Sequence, residues 1–104
     1  MTVPVRTEEQ RASALLRAME VRRERASLRQ ELKSGRTSGA EVIRSAQLAV
    51  QWQRIRVRWL LESLPGIGPA RADSIMRRHA IAETRRLGGL TDRQRDELIG
   101  AIEG

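Results

Sequence analysis

Nine consecutive residues organise this 104-residue chain: Leu64-Pro65-Gly66-Ile67-Gly68-Pro69-Ala70-Arg71-Ala72. Two glycines flank one apolar residue, and a turn this tight needs a positive φ or a close backbone approach at glycine. The side chain of Ile67 can fill the space between the flanking segments, and Ala72 is small enough to let them cross closely. The pattern therefore predicts two helices joined by a short hairpin.

Apolar patterns on both sides of the hairpin predict those helices. The preceding helix is predicted from about Arg54 to Pro65, with the alternation over 55–58 interpreted as its start. Its apolar stripe has the spacing i, i+3, i+4 and i+7: Val57, Leu60, Leu61 and Leu64. The following helix is predicted to begin at Pro69, because a proline in the first turn loses no helical hydrogen bond. Its inward-facing residues are Ala72, Ile75 and Met76.

The hairpin also predicts an anion site. The amides of Gly66 and Gly68, beside a helix N-terminus, would form an electropositive concavity suited to one phosphate. Arg71 could add a charge-assisted contact one turn into the helix. A device of this kind recognises the nucleic-acid backbone and no bases, so it predicts sequence-tolerant binding. The alternative is an ordinary interhelical turn with no ligand.

The segment resembles the helix-hairpin-helix signature, hydrophobic-Pro-Gly-hydrophobic-Gly-x-x-x-Ala. The residues of the signature that are expected to form the DNA-binding hairpin are Pro65, Gly66, Ile67, Gly68 and Pro69. DNA glycosylases of the superfamily place a catalytic Lys and a catalytic Asp after the second glycine, where this chain has Ala70 and Gly88. A small-subunit ribosomal protein with a similar hairpin normally has a basic C-terminal tail, whereas residues 96–104 are acidic and apolar. Neither class fits well.

The charge balance favours a polyanionic partner. Twenty basic and thirteen acidic residues give a net charge of +7, and all of the basic residues except Lys33 are arginine. Codon bias in a GC-rich genome would also favour arginine, so we weigh the sign of the charge and not the residue type. A net positive charge on a small protein is typical of nucleic-acid binding.

Three further helices begin with capping boxes, in which a Ser or Thr side chain and the residue three positions later satisfy each other's amides. The three boxes are Thr7–Gln10, Ser38–Glu41 and Thr91–Gln94. The first helix is predicted to run to about Lys33. Its apolar residues are expected to form one seam: Ala12, Leu15, Leu16, Met19, Val21, Leu28 and Leu32.

The predicted fold is all-α, with a long N-terminal helix followed by a compact helical domain that contains the helix-hairpin-helix motif. We predict an N-terminal helical arm over 1–36 and a helical domain over 37–104, with the motif at about 54–79 and a C-terminal helix. The absence of cysteine excludes disulfides and thiolate metal sites and fits the cytosol. His79 is the only histidine, so no metal, cofactor or enzymatic constellation is expected. The longest uncharged stretch has nine residues, so no membrane span is expected.

Most of the chain resembles the actinobacterial integration host factor family. The resemblance lies in these segments: Glu9–Ala12, Arg22-Arg23, Leu60–Pro65, Ala72, Ile75-Met76, Thr84–Leu87, Gly89-Leu90 and Asp92–Arg95. It implies a monomeric, cytoplasmic, nucleoid-associated protein that binds double-stranded DNA, bends or compacts it, and assists a phage integrase–DNA complex in site-specific integration. It implies DNA contacts from the hairpin, Arg71, Arg85 and Arg86. A second basic strip at Arg22, Arg23 and Arg25 either contacts DNA or is a solvated helix face.

Three alternatives remain open from the sequence. The hairpin could belong to an RNA- or ribosome-binding module, and the helical arm could bind another protein. The arginines near Trp52 and Trp59 resemble a stacking platform for single strands, although the rings could equally pack at the edge of the core.

Overall fold

The computed structural model describes residues 7–103, and all of the longer elements in that range are helices. The helices are α1 (Glu8–Ser34), α2 (Gly39–Ser45), α3 (Val50–Gln53), α4 (Val57–Ser63), α5 (Pro69–Arg78) and α6 (Asp92–Glu103), with a 3₁₀ turn at Leu87–Gly89. The all-α prediction and the long N-terminal helix are confirmed. The first six residues of the predicted arm lie outside the described range.

The predicted helix starts follow from side-chain capping. Both hydrogen bonds of a capping box form at Thr7, whose Oγ1 accepts from the Gln10 amide at 3.1 Å while Gln10 Oε1 accepts from the Thr7 amide at 2.9 Å. The box at Thr91 is equally complete. At Ser38 only one half forms, in which the hydroxyl accepts from the Glu41 amide. The helix end predicted at about Lys33 is confirmed to within one residue, since α1 ends at Ser34 and Gly35 follows it with a φ of 78°.

The prediction of one apolar seam along α1 is wrong. Leu28 and Leu32 are buried in the core, whereas Leu15, Leu16, Met19 and Val21 are exposed. At 100° per residue, the stripe through Leu15, Leu16 and Met19 lies nearly opposite the core-facing stripe. The two stripes follow each other in sequence and share a helical period. The sequence pattern therefore made them look like one seam, although they lie on opposite sides of α1.

The predicted start of the helix before the hairpin is also wrong. A short helix, α3, precedes it, and Arg56 is extended before α4 begins at Val57. Arg56 forms an isolated antiparallel bridge with Arg86. The Val57 amide donates to the Arg85 carbonyl at 3.0 Å and the Leu87 amide donates to the Ile55 carbonyl at 2.8 Å. The alternation over 55–58 thus includes the single bridged residue Arg56, and the helix starts only after it.

The core lies among α2, α4, α5 and α6 and is aliphatic. The largest fully buried apolar side chains are Leu32, Val42, Ile43, Ile55, Val57, Leu60, Leu61 and Leu98. Trp52 and Trp59 are half-buried and pack against this cluster. The inward positions predicted for the stripe before the hairpin and for α5 are confirmed, except that Leu64 is only half-buried. The end of α1 contributes Leu28 to the same core, and the division at residue 36 stays a prediction.

No helix within residues 7–103 is both long and apolar enough to cross a membrane.

Candidate nucleic-acid interface

The hairpin is a tight turn followed directly by α5. The Ile67 amide donates to the Leu64 carbonyl at 3.3 Å, which closes a four-residue turn. Gly66 is third in that turn and has a φ of 77°, the left-handed value that a type II turn requires at this position, with Pro65 favoured before it. Ile67 packs on the edge of the core, as expected for the residue between the glycines.

The hairpin leaves main-chain amides available. Among residues 7–103, no protein acceptor receives a hydrogen bond from the amides of Gly66, Gly68, Ala70 or Arg71. Gly68 is the N-cap of α5 and has no side chain to cap the helix. Both glycines are exposed, and a Cβ atom built on either would meet nothing within 4 Å. The first turn of α5 therefore presents unpaired N–H groups and the positive end of the helix dipole to solvent.

Arg71 lies beside these amides. It is exposed on the first turn of α5 and forms no ion pair with an acidic side chain of residues 7–103. The guanidinium is free to approach an anion bound at the helix start, and a bidentate arginine matches phosphate oxygens. Pro65 and Pro69 are also exposed and frame the turn.

A second basic surface forms at the other end of α4, and we call Arg25, Arg56 and Arg86 the arginine cluster. The bridge between residues 56 and 86 brings two of these side chains together. Partial burial lowers the pKa of Arg25, and the nearby charge of Arg86 lowers it further. Because like charges this close repel each other, a bound anion would relieve the repulsion.

The basic strip predicted on α1, which consists of Arg22, Arg23 and Arg25, does not lie on one face of the helix. Arg25 joins Arg86 on the domain side, whereas Arg23 lies two residues away and therefore about 200° around the helix axis. Arg22 and Arg23 are both exposed. The sequence pattern could group these residues by position but could not show which one meets the loop.

Trp59 anchors α1 to α4 instead of offering a free ring. The guanidinium of Arg29 lies 4.8 Å from the ring centroid and that of Arg25 lies 5.7 Å from it, both within cation–π range. Arg29 Nε also donates to the buried Ser63 hydroxyl at 3.1 Å. These contacts favour the core-edge interpretation of the Trp rings over single-strand stacking.

Arg85 and Arg86, the predicted DNA contacts of this turn, are both exposed, but one of the two guanidinium groups is held by an internal hydrogen bond. Arg85 Nη1 donates to the Gly89 carbonyl at 3.0 Å, so this guanidinium folds back on the 3₁₀ turn. Gly88 in the same turn has no room for a side chain, since a Cβ there would lie 2.8 Å from the Cβ of Gln53. Arg86 forms no ion pair within residues 7–103 and belongs to the arginine cluster.

Two arginine roles were missed by sequence reasoning. Arg56 looked like part of a helix, and only its bridge to Arg86 places it in the arginine cluster. Arg58 is a structural hub, since its guanidinium pairs with Glu62, with Asp73 and with Glu83. These pairs raise the pKa of Arg58 and lower that of Asp73. An arginine surrounded by three carboxylates is poorly placed to meet a phosphate.

The hairpin and the arginine cluster lie at opposite ends of α4. Arg56 immediately precedes the helix and Leu64 immediately follows it. Eight residues at the helical rise separate them by about 12 Å, which is comparable to the width of a DNA groove. The exposed amides beside Arg71 and the arginine cluster therefore lie at the two ends of one short helix.

Comparison with known proteins adds a family and a fold. Residues 32–101 match the S13-like H2TH domain family. The chain is 44% identical over 99 residues to the integration host factor of Mycobacterium tuberculosis, covering 95% of this chain and 94% of the relative. It is 46% identical over 94 residues to the integration host factor of Streptomyces coelicolor, covering 90% and 88%.

A solved structure is also similar. It is the structure of sIHF bound to an 8-bp palindromic DNA, with a TM-score of 0.78 and 41% sequence identity. The match covers 83% of this chain and 97% of that one. The similarity extends over most of the fold that carries the hairpin and the arginine cluster.

Proposed function

We propose that this chain, which belongs to the actinobacterial integration host factor family, binds double-stranded DNA as a nucleoid-associated architectural protein. The observation that carries the proposal is the hairpin, where unpaired amides of exposed residues meet the start of α5 beside Arg71. The DNA-bound relative supports the same partner. Contacts of this kind recognise phosphates, so the binding is expected to tolerate any duplex sequence.

Two contacts per molecule explain an architectural role. The hairpin and the arginine cluster would hold phosphates on either side of a groove, and a duplex that satisfies both must adopt the spacing that α4 imposes. Bending or compaction of DNA follows, and we propose that it assists a phage integrase–DNA complex. We propose binding without catalysis, in the cytoplasmic nucleoid where the DNA lies.

Gly68→Ser tests the hairpin without harming the fold. Serine is a favoured N-cap residue, and its hydroxyl would accept from the amide of Ala70 or Arg71. The helix gains about 0.5 kcal/mol at most, while the amide that would hold the phosphate becomes occupied. We expect unchanged or higher stability in urea denaturation and at least about tenfold weaker binding of a random duplex in gel shifts at several salt concentrations.

Ser74→Gly supplies the matched control, because Ser74 is exposed on α5 away from its first turn. It should bind DNA like the parent chain despite a loss of helix stability. Parental affinity in the Gly68→Ser variant would remove the hairpin from the interface.

The second candidate function is binding of structured RNA, which the S13-like character of the matched domain favours. The same amides would hold an RNA phosphate. Competition between duplex DNA and duplex RNA of equal length and sequence separates the two. Preference for RNA would favour this second candidate.

A further inference from the structure

An apolar stripe on the arm has no partner within residues 7–103. Its members occupy i, i+3, i+4 and i+7 on α1: Ala12, Leu15, Leu16 and Met19. Leu15 and Leu16 are each 60% exposed and Met19 is 38% exposed. We call these four residues the arm stripe. This spacing is typical of a helix that packs lengthwise against another helix.

Charges at the two ends of the arm stripe are opposite. Glu8 and Glu9 lie in the first turn of α1, and Arg22 and Arg23 lie one turn beyond Met19. None of these four side chains forms an ion pair with another residue in the part of the chain that the structure describes. Glu8 and Arg23 fall on the same face as the stripe, because each is four residues from its nearest end.

We infer that the arm stripe packs against the arm stripe of a second copy of this chain, in an antiparallel pair. Centred between Leu15 and Leu16, this pairing sets Ala12 opposite Met19 of the second copy and Glu8 opposite Arg23 of the second copy. Acidic ends then meet basic ends twice. A parallel pair would instead place Glu8 against Glu8 and Arg23 against Arg23, which is unfavourable.

The domains leave room for this pair. The core-facing residues of α1, Leu28 and Leu32, lie nearly opposite the arm stripe, so each domain sits on the outer side of its own helix. Antiparallel pairing also sends the two domains to opposite ends. If the proposed DNA binding holds, each domain carries its own hairpin, and the pair bridges two DNA segments.

The arm stripe is small, so the pair is weak. Stable interfaces bury roughly 800 Å² on each partner, more than four side chains supply. A dilute chain is therefore expected to be monomeric. The pair forms at high concentration, or on DNA where neighbouring copies have a raised effective concentration.

Disulfide trapping tests the pair directly, because the chain has no cysteine of its own. One full-length chain carries Ala12→Cys and a second carries Met19→Cys, and the two are mixed and oxidised at high concentration without DNA. Mass spectrometry then separates mixed from like disulfides. Ala14→Cys is the control, since it makes the same change at a less exposed position, off the arm stripe.

We expect mixed disulfides in at least about tenfold excess over those that the Ala14→Cys chain forms with the Met19→Cys chain. Predominance of like disulfides would show a parallel pair, and yields equal to the control would show no pair. Either outcome overturns the inference. Retained gel shifts would show in both cases that the proposed DNA binding stands on its own.

Exchanging the charges at the ends of the arm stripe distinguishes a specific antiparallel pair from disulfides that form by chance collision. Adding Arg22→Glu and Arg23→Glu to the Met19→Cys chain should lower the mixed yield. Adding Glu8→Arg and Glu9→Arg to the Ala12→Cys chain should restore it, because opposite charges meet again at that end. Circular dichroism checks that α1 stays helical, and failure of this restoration contradicts the antiparallel arrangement.

Discussion

Gly66 and Gly68 are two residues apart but are glycine for different reasons. Gly66 has a positive φ that other residues adopt only with strain, whereas Gly68 has an ordinary φ of −93°. Open space surrounds both, so neither is kept small by packing within the chain. Gly66 shapes the turn, and the missing side chain of Gly68 keeps the start of α5 accessible.

Gly66→Ala is expected to lower the free energy of unfolding by about 1 kcal/mol, because alanine is strained at this φ while no neighbour clashes. Urea denaturation measures the change. Gly100→Ala is the matched control: this exposed glycine lies inside α6 with open space around it, so alanine should stabilise by about 0.5–1 kcal/mol. An unchanged Gly66→Ala variant would mean that the turn relaxes to another type.

Gly88 illustrates what the sequence could not show. A side chain there would press on the Cβ and carbonyl of Gln53 in α3, at 2.8 and 3.2 Å. Because α3 is only four residues long and carries no clear periodicity, neither this helix nor its close approach was predictable. The hairpin glycines, in contrast, belong to a local motif and were predicted with their roles.

Gly88→Ala should destabilise the chain by about 1–3 kcal/mol, the usual cost of forcing extra atoms into a packed site. The Arg56–Arg86 bridge lies next to this contact, so the arginine cluster should loosen as well. Thermal and urea unfolding provide the measurement. Wild-type stability of the Gly88→Ala variant would show that α3 shifts freely. It would also show that the arginine cluster does not depend on the packing of Gly88 against Gln53.

At the scale of elements, the structure confirms what local chemistry determines. Capping hydroxyls and Pro69 marked where helices begin, and those signals act within one turn. The prediction of one apolar seam along α1 was wrong because a periodic pattern does not show whether the apolar side chains have a surface to pack against. The extended conformation of Arg56 before α4 was not predicted, because the residue that pairs with it, Arg86, is thirty positions away.

The Arg58 hub makes the stability of the α4–α5 pair sensitive to acid. Its hydrogen bond to Asp73 lowers the pKa of that carboxyl below the ordinary 3.8, so the folded chain binds fewer protons than the unfolded one near that pH. The stabilisation is present above pH 3.8 and is lost as pH falls through the lowered pKa. Unfolding free energy should therefore decrease on acidification.

Asp73→Asn should lower the free energy of unfolding at neutral pH and flatten its decrease as the pH falls below 3.8. Urea denaturation at a series of pH values gives both quantities. Asp96→Asn is the control, because Asp96 is exposed and has no ion pair among residues 7–103. An Asp73→Asn curve parallel to the parent would show that the Arg58–Asp73 pair contributes nothing to folding.

At the scale of the whole molecule, charge acts through its placement. Four arginines are committed to carboxylates within the described residues: Arg44, Arg58, Arg93 and Arg95. Those at the hairpin and in the arginine cluster are not. The net charge of +7 predicted a polyanionic partner from the sequence, but only the fold separates neutralised arginines from available ones.

Two phosphate contacts on one rigid helix should bend a short duplex, and neither should bend it alone. Bending by 40–90° costs on the order of 1–6 kcal/mol, which a single contact cannot offset. Binding is measured at several salt concentrations, and the logarithm of the binding constant is plotted against the logarithm of salt concentration. In the Arg85→Ala, Arg86→Ala double variant, the slope of this plot should become less steep by about 0.9 for each phosphate that the variant no longer binds. The saturated complex should also show no fluorescence energy transfer between dyes at the duplex ends.

Arg44→Ala with Arg93→Ala removes the same formal charge from arginines that are already paired, so it should retain both the salt slope and the energy transfer. Gly68→Ser leaves the arginine cluster intact and should give a straight but bound duplex at low salt, because one phosphate is still held. This pattern, in which a change at either end of α4 abolishes bending while binding survives, distinguishes a two-point clamp from general electrostatic attraction. Energy transfer that persists after removal of Arg85 and Arg86 would locate the second phosphate-binding point elsewhere, and Arg22 on the arm would be the residue to test next.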